Sequence, residues 1–180
     1  MAPEHNYAVE MVNEPDYSFG STRNVRHYAT EVSLNDDRYI PSSIHGILVN
    51  DIPVIVVGSD GGATSIHPHS MLRLGEILYF AVGPNVCRLT LGNQKLDWHL
   101  KTDWATCFGI YYNERYDTLI SHGEMEISRF NTDGRILWKA GGADIFTEGI
   151  SLSDNCVEAT DFNHCVYYFD YGTGQEMRQP

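Results

Sequence analysis

The chain has 180 residues, 42% of them hydrophobic and 20% charged, with a net charge of −12. That composition excludes a disordered chain, and a chain of this length buries roughly 70% of its unfolded surface, enough for a core without metal or disulfide. With 12 basic side chains against 24 acidic ones, it excludes general binding to nucleic acid or to an anionic membrane surface, where affinity rests on Lys and Arg.

The four cysteines, Cys87, Cys107, Cys156 and Cys165, form no CxxC pair, which argues against a zinc knuckle. The opening M-A-P-E-H-N-Y lacks a basic region followed by an apolar run. The longest apolar stretch, residues 52–57, is too short to span a bilayer. The expectation is a cytoplasmic protein with free thiols, folded as a single domain over residues 1–180.

In chain order, residues 7–12 predict a short strand, and Asn13-Glu14-Pro15-Asp16 and Gly20-Ser21-Thr22 predict turns. Residues 25–34 alternate loosely and predict another strand, which Asn35-Asp36-Asp37 ends. Residues 44–49 and 52–57 are β-branched runs on either side of Asn50-Asp51, the pattern of a hairpin. From Ala63 onward the chain repeats, in units of 63–98, 105–138 and 146–177. Gly83, Gly123 and Asn163 each follow a second strand at a constant step, and Trp98 and Trp138 close fourth strands at the same step. Asp60, Asp103 and Asp144 stand three or four residues before Thr64, Thr106 and Thr147. The middle unit parses into strands at 107–112, 117–121, 125–130 and 135–139. A period near forty residues with four strands per unit is the signature of propeller blades, and no segment shows sustained helical periodicity. The fold expected is all-β, a propeller-like array of three to four four-stranded antiparallel blades, open or partial. The blades take 63–104, 105–145 and 146–180, and residues 1–62 supply either a fourth, degenerate blade or a cap.

The segments V-Y-Y-F-D-Y-G-T-G-Q-E-M (166–177) and I-S-R-F-N-T-D-G-R-I-L-W (127–138) resemble the strand-turn-strand of quinoprotein-type (PQQ-like) propeller repeats. The likeness covers residues 63–178, with V-C-R-L-T-L-G-N-Q-K-L-D-W of the first unit a looser match. Within that family some members bind pyrroloquinoline quinone and others are non-catalytic scaffolds. The cofactor-binding members use about eight blades, so the resemblance implies a blade type here and no cofactor.

Alternating strand direction puts the loop before each first strand and the turn between strands two and three on one face. Asp60, Asp103, Asp144 and Glu148 fall on the loops, and His122, Glu124, Asp161 and His164 on the turns. The Asp before Thr recurs with the scaffold, which points to a turn-fixing role. The residues that do not recur, His122, Glu124, Glu148, Asp161 and His164, are the candidate binding face. His67, His69, His122 and Asp103 form an alternative set that could hold a metal ion, since His and carboxylate suit zinc or iron. Cys107 with His122 and Asp103 would be a nucleophile, base and orienter, but Cys107 sits in an apolar strand. No phosphate loop, dinucleotide fingerprint or nucleophile elbow is present.

The leading expectation is therefore a non-catalytic protein-interaction module with a basic protein partner, of which an antitoxin- or immunity-type protein is one form. The alternative is a metal-dependent enzyme or small-molecule binder on the same face. An open arc with bare strand edges would also favour a homodimer.

Overall fold

The computed structural model describes residues 7–35, 40–63 and 65–178. Thr64 and the Asp36-Asp37 turn lie outside the described residues. The described residues contain strands and no helix, in four four-stranded sheets. The first sheet has β1 (Val9–Asn13), β2 (Thr30–Ser33), β3 (Ser43–Val49) and β4 (Ile52–Ser59). The second has β5 (Met71–Leu74), β6 (Ile77–Val82), β7 (Asn85–Thr90) and β8 (Lys95–Lys101). The third has β9 (Cys107–Asn113), β10 (Thr118–Gly123), β11 (Ile127–Asn131) and β12 (Ile136–Ala140). The fourth has β13 (Gly149–Leu152), β14 (Cys156–Thr160), β15 (Val166–Asp170) and β16 (Glu176–Met177).

The last three sheets are antiparallel meanders in chain order. The first has the order β1-β3-β4-β2, with β2 parallel to β4. Its centre is the expected hairpin. Asn50 and Asp51 both have positive φ, 51° and 65°, the requirement of a two-residue turn that matches strand twist. The strand expected at 25–34 shrinks to Thr30–Ser33, because the preceding chain does other work. Tyr17 and Tyr28, with Phe19 at their edge, pack on Ile44, Leu48 and Val56 and roof the outer face of the first sheet.

Strand alternation sorts the core into layers. Ile47, Val49, Ile55 and Val57 meet Leu78, Phe80, Val82 and Leu89 between the first and second sheets. Tyr79, Ala81 and Val86 point the other way and meet Ile110, Leu119 and Phe130 of the third. Ile120 and Ile127 meet Val157, Ala159, Phe169 and Tyr171 of the fourth. Both faces of the first three sheets are thus covered, which is why β3 and β10 are buried at every residue. Each fully buried Leu, Ile or Phe contributes roughly 1.5–3 kcal/mol. The clusters join sheets that are neighbours in the chain, and among the described residues none joins the fourth to the first. The array is open.

A second device ties blade to blade. Gly134 and Gly174 both have positive φ, 81° and 70°. Each lies under an indole of the preceding blade's fourth strand, where Trp98 and Trp138 stand mid-strand rather than at the expected strand end: a Cβ would stand 3.0 Å from Trp98 at Gly134 and 2.6 Å from Trp138 at Gly174. Trp138 Nε1 also donates to the Tyr171 carbonyl at 2.9 Å. Beside it Arg129 donates to the same carbonyl at 2.8 Å and lies over the rings of Tyr116 and Tyr171. The repeated Trp of the sequence and the turn glycines Gly134 and Gly174 thus make one contact at two successive junctions.

Candidate functional site

The loops between blades and the turns between second and third strands do share a face, and main-chain hydrogen bonds connect them. Gly62 N donates to Ala105 O at 3.1 Å, Glu124 N to Thr106 O at 2.8 Å, Phe146 N to Glu124 O at 2.7 Å, and Phe162 N to Ile145 O at 2.8 Å. These bonds run across the second, third and fourth blades like rungs. They link the loops into a continuous hydrogen-bonded belt.

Asp103 anchors the belt. It is 1% exposed. Its Oδ1 accepts from Ala105 N and Thr106 N at 2.6 and 3.0 Å, and its Oδ2 from Met125 N and Glu126 N at 2.9 and 2.8 Å. The carboxylate thus pins its own loop to the β10–β11 turn. Gly123 belongs to the same arrangement, since a Cβ there would stand 2.2 Å from Asp103 Oδ2. The landmarks meet at the other blades too. A Cβ at Gly83 would stand 2.2 Å from Asp60 O, and Asn163 Nδ2 donates to Asp144 Oδ2 at 2.6 Å. Their roles differ, however: Asp60 and Asp144 are exposed, and only at Asp103 among the three is the carboxylate buried.

Two of the five non-recurring candidates are withdrawn from the surface. His122 lies in β10, 7% exposed, with Nε2 2.9 Å from the Phe146 carbonyl and Phe108 against its ring edge. Burial pushes its pKa below the usual value, against the opposing effect of the Phe146 hydrogen bond. Asp161 is 1% exposed and accepts from Asn163 N, Cys165 N and Tyr167 OH at 2.9, 2.9 and 3.0 Å. Both hold turns in place, as a buried polar group needs partners inside the fold. Glu124 is partly exposed and Glu148 exposed. His164, with φ at 62°, places Nδ1 3.9 Å from Glu148 Oε2.

The alternative metal set is dispersed in its bonding. Both Asp103 oxygens face backbone N–H groups, His69 stacks on Tyr111 with centroids 4.4 Å apart, and His67 Nδ1 accepts from His69 N at 3.2 Å. Among the described residues no group of three or more His, Cys, Asp or Glu is placed to hold a metal. Cys107 is 1% exposed, and burial pushes its thiol up to about 12, which keeps it protonated and a poor nucleophile.

Sequence reasoning missed the apolar part of this face. Trp104 is 73% exposed, Phe162 59% and Met125 44%. Each sits beside one of the belt's hydrogen-bonding residues: Trp104 after Asp103, Met125 after Glu124, Phe162 after Asp161. Lys101 Nζ lies 5.4 Å from the centre of the Trp104 ring. The signal was available, because a turn needs Gly, Asn, Asp or Pro and has no use for Trp, Met or Phe.

No family profile matches the chain, and no curated protein does. Solved structures do. The computationally designed Ika8 protein has a TM-score of 0.55 at 13% identity, over 76% of this chain and 45% of Ika8. The computationally designed Ika4 protein has 0.52 at 13%, over 64% of this chain and 75% of Ika4. BamB from Moraxella catarrhalis has 0.51 at 14%, over 75% of this chain and 43% of BamB. These are β-propellers, and the chain has a propeller-type fold. It spans under half the length of Ika8 and of BamB. At such identities the likeness is one of fold alone.

Proposed function

We propose that the chain is a non-catalytic interaction module that holds a basic protein partner on the loop face. One observation carries this reading: three large apolar side chains, Trp104, Met125 and Phe162, stand exposed on a hydrogen-bonded belt. Exposing them costs solvation that the fold does not require, and aromatic anchors on a rigid base are what interface hot spots are made of. Glu124, Asp144 and Glu148 lie among them, and the chain carries a net charge of −12, which supports a cationic partner. The finer form is an antitoxin- or immunity-type protein that blocks a basic target; acidity supports it. The blades are read as the quinoprotein type, supported by the Trp-on-Gly junctions and the likeness to BamB.

The test is purification of the chain with its partner and release by salt. The expected result is a basic protein that leaves as ionic strength rises, with the emission of exposed Trp104 shifting on binding. The variant Trp104→Ala should bind about 30-fold more weakly, as loss of a hot-spot side chain of about 2 kcal/mol requires, at an unchanged melting temperature. A salt-insensitive monomer with no partner, or full binding by the variant, overturns the proposal.

A further inference from the structure

The two ends of the array are finished differently. At the first sheet the outer face carries Ile44, Leu48 and Val56, and the 14–28 segment covers it. At the fourth sheet the inner face packs on the third, while the outer face has no covering segment among the described residues. Strand register sets out what that outer face shows. One row across it reads Ser151, Glu158, Tyr168, Met177, and the next reads Gly149, Thr160, Val166. Val166 is 45% exposed, and Tyr168 and Met177 are half-buried. A groove of about 540 Å³ runs over Val166, Tyr168, Glu176, Met177 and Arg178. A second of about 220 Å³ lies beside Glu148, Ser151, Glu158 and Thr160.

We infer that this outer face is a docking surface for a basic segment of a partner protein, which sets a Lys or Arg on Glu158 and its apolar groups on Val166, Tyr168 and Met177. Glu158 sits at the centre of the face, partly buried. No hydrogen bond or ion pair engages its carboxylate among the described residues, so a partner's cation would meet a free acceptor. A further blade of the same kind does not fit, because the blade interfaces here are apolar clusters, whereas this face has Glu158 at its centre. A second copy face to face would set Glu148 and Glu158 against the same two carboxylates. Like charges so placed oppose pairing, whereas a basic segment is matched. Glu148 belongs both to this face and, through His164, to the loop face, so the two surfaces adjoin. The inference rests on the proposed function in taking the partner to be basic.

The test uses isotope-labelled protein and a peptide alternating lysine and valine, with backbone amide shifts as the readout. The expected result is shifts along residues 156–160 and 166–170, absent with the glutamate–valine peptide. Glu158→Gln should weaken that binding about tenfold, the loss of one charge pair of roughly 1.4 kcal/mol. Shifts confined to Trp104, Met125 and Phe162 overturn this inference and leave the loop-face reading standing. Shifts on neither face overturn both. Concentration-dependent shifts on the fourth sheet without peptide would show that a second copy covers it, which also overturns the inference.

Discussion

Asp103 is where a structural and a functional reading of the loop face part most sharply. Its side chain accepts four main-chain N–H groups, two from its own loop and two from the β10–β11 turn. Asp103→Ala removes both acceptor oxygens and all four hydrogen bonds at once. A buried donor left unpaired costs about 1–3 kcal/mol. Ala105, Met125 and Glu126 are partly or fully exposed, so water recovers part of that loss, and the sum should come to about 3–5 kcal/mol. For a chain of this size each kcal/mol moves the melting temperature by roughly 2–4 °C, so a fall of roughly 6–20 °C is expected. Asp103→Asn is the sharper variant. It keeps Oδ1 for Ala105 and Thr106 but turns two amide hydrogens toward the N–H groups of Met125 and Glu126. It should lose more than half of what Ala loses, although it is isosteric. Urea denaturation, with the slope checked for constancy, measures both. If either variant keeps wild-type stability while partner binding or any activity disappears, the carboxylate belongs to a site and its structural role is refuted.

Two further outcomes follow from the geometry. Gly174→Ala should cost about 2–4 kcal/mol, because the new Cβ would meet both a φ of 70° and the Trp138 indole at 2.6 Å. Gly20→Ala, with a φ of 73° and nothing within 4 Å, isolates the backbone part at about 1 kcal/mol; equal losses in the two variants would sink the Trp-on-Gly account. His45 supplies a pH signature. It is 1% exposed, with Nε2 3.1 Å from Ser43 Oγ, and burial lowers its pKa to about 4. The unfolded chain takes up that proton near pH 6.5 and the folded chain does not. The stabilisation is therefore complete above about 6.5 and is lost as pH falls toward 4, with about 2 kcal/mol gone by pH 5. In His45→Gln the slope of stability against pH between 6.5 and 5 should flatten; an unchanged slope would assign the acid sensitivity elsewhere.

The period of the array was legible because it is imposed by a contact. Trp98 and Trp138 need Gly134 and Gly174 at a fixed remove, so packing writes itself into spacing. The β3–β4 hairpin was legible for a like reason, since two successive residues at positive φ call for Asn and Asp. What stayed hidden depends on distances no local pattern carries. The three Asp residues look equivalent in the chain, yet only Asp103 faces four N–H groups. His122 and Asp161 read as polar turn residues, and a polar turn residue is ordinarily exposed; here the fold closes over them because they satisfy main-chain groups. The parallel pairing of β2 with β4 was likewise out of reach. Nothing in Thr30–Ser33 distinguishes one edge of a sheet from the other, and the long excursion of 14–29 is dictated by where Tyr17 and Tyr28 find apolar surface.

The asymmetry of the array bears on how such a fold can carry a function without closing. A ring gains stability by covering its last face with its first. Here the first face is covered instead by the chain's own aromatic segment, so the array cannot grow by repeated head-to-tail stacking, the arrangement that leads to open filaments. One edge of the fourth sheet is β16, only two residues long, which limits pairing by strand addition there. Two of its exposed surfaces are the loop face and the outer face of the fourth sheet, and Glu148 belongs to both. A partner that used either would find the other within reach. A binding surface that turns a corner would explain why the non-recurring residues gather in the last two blades, while the first two are given over to core.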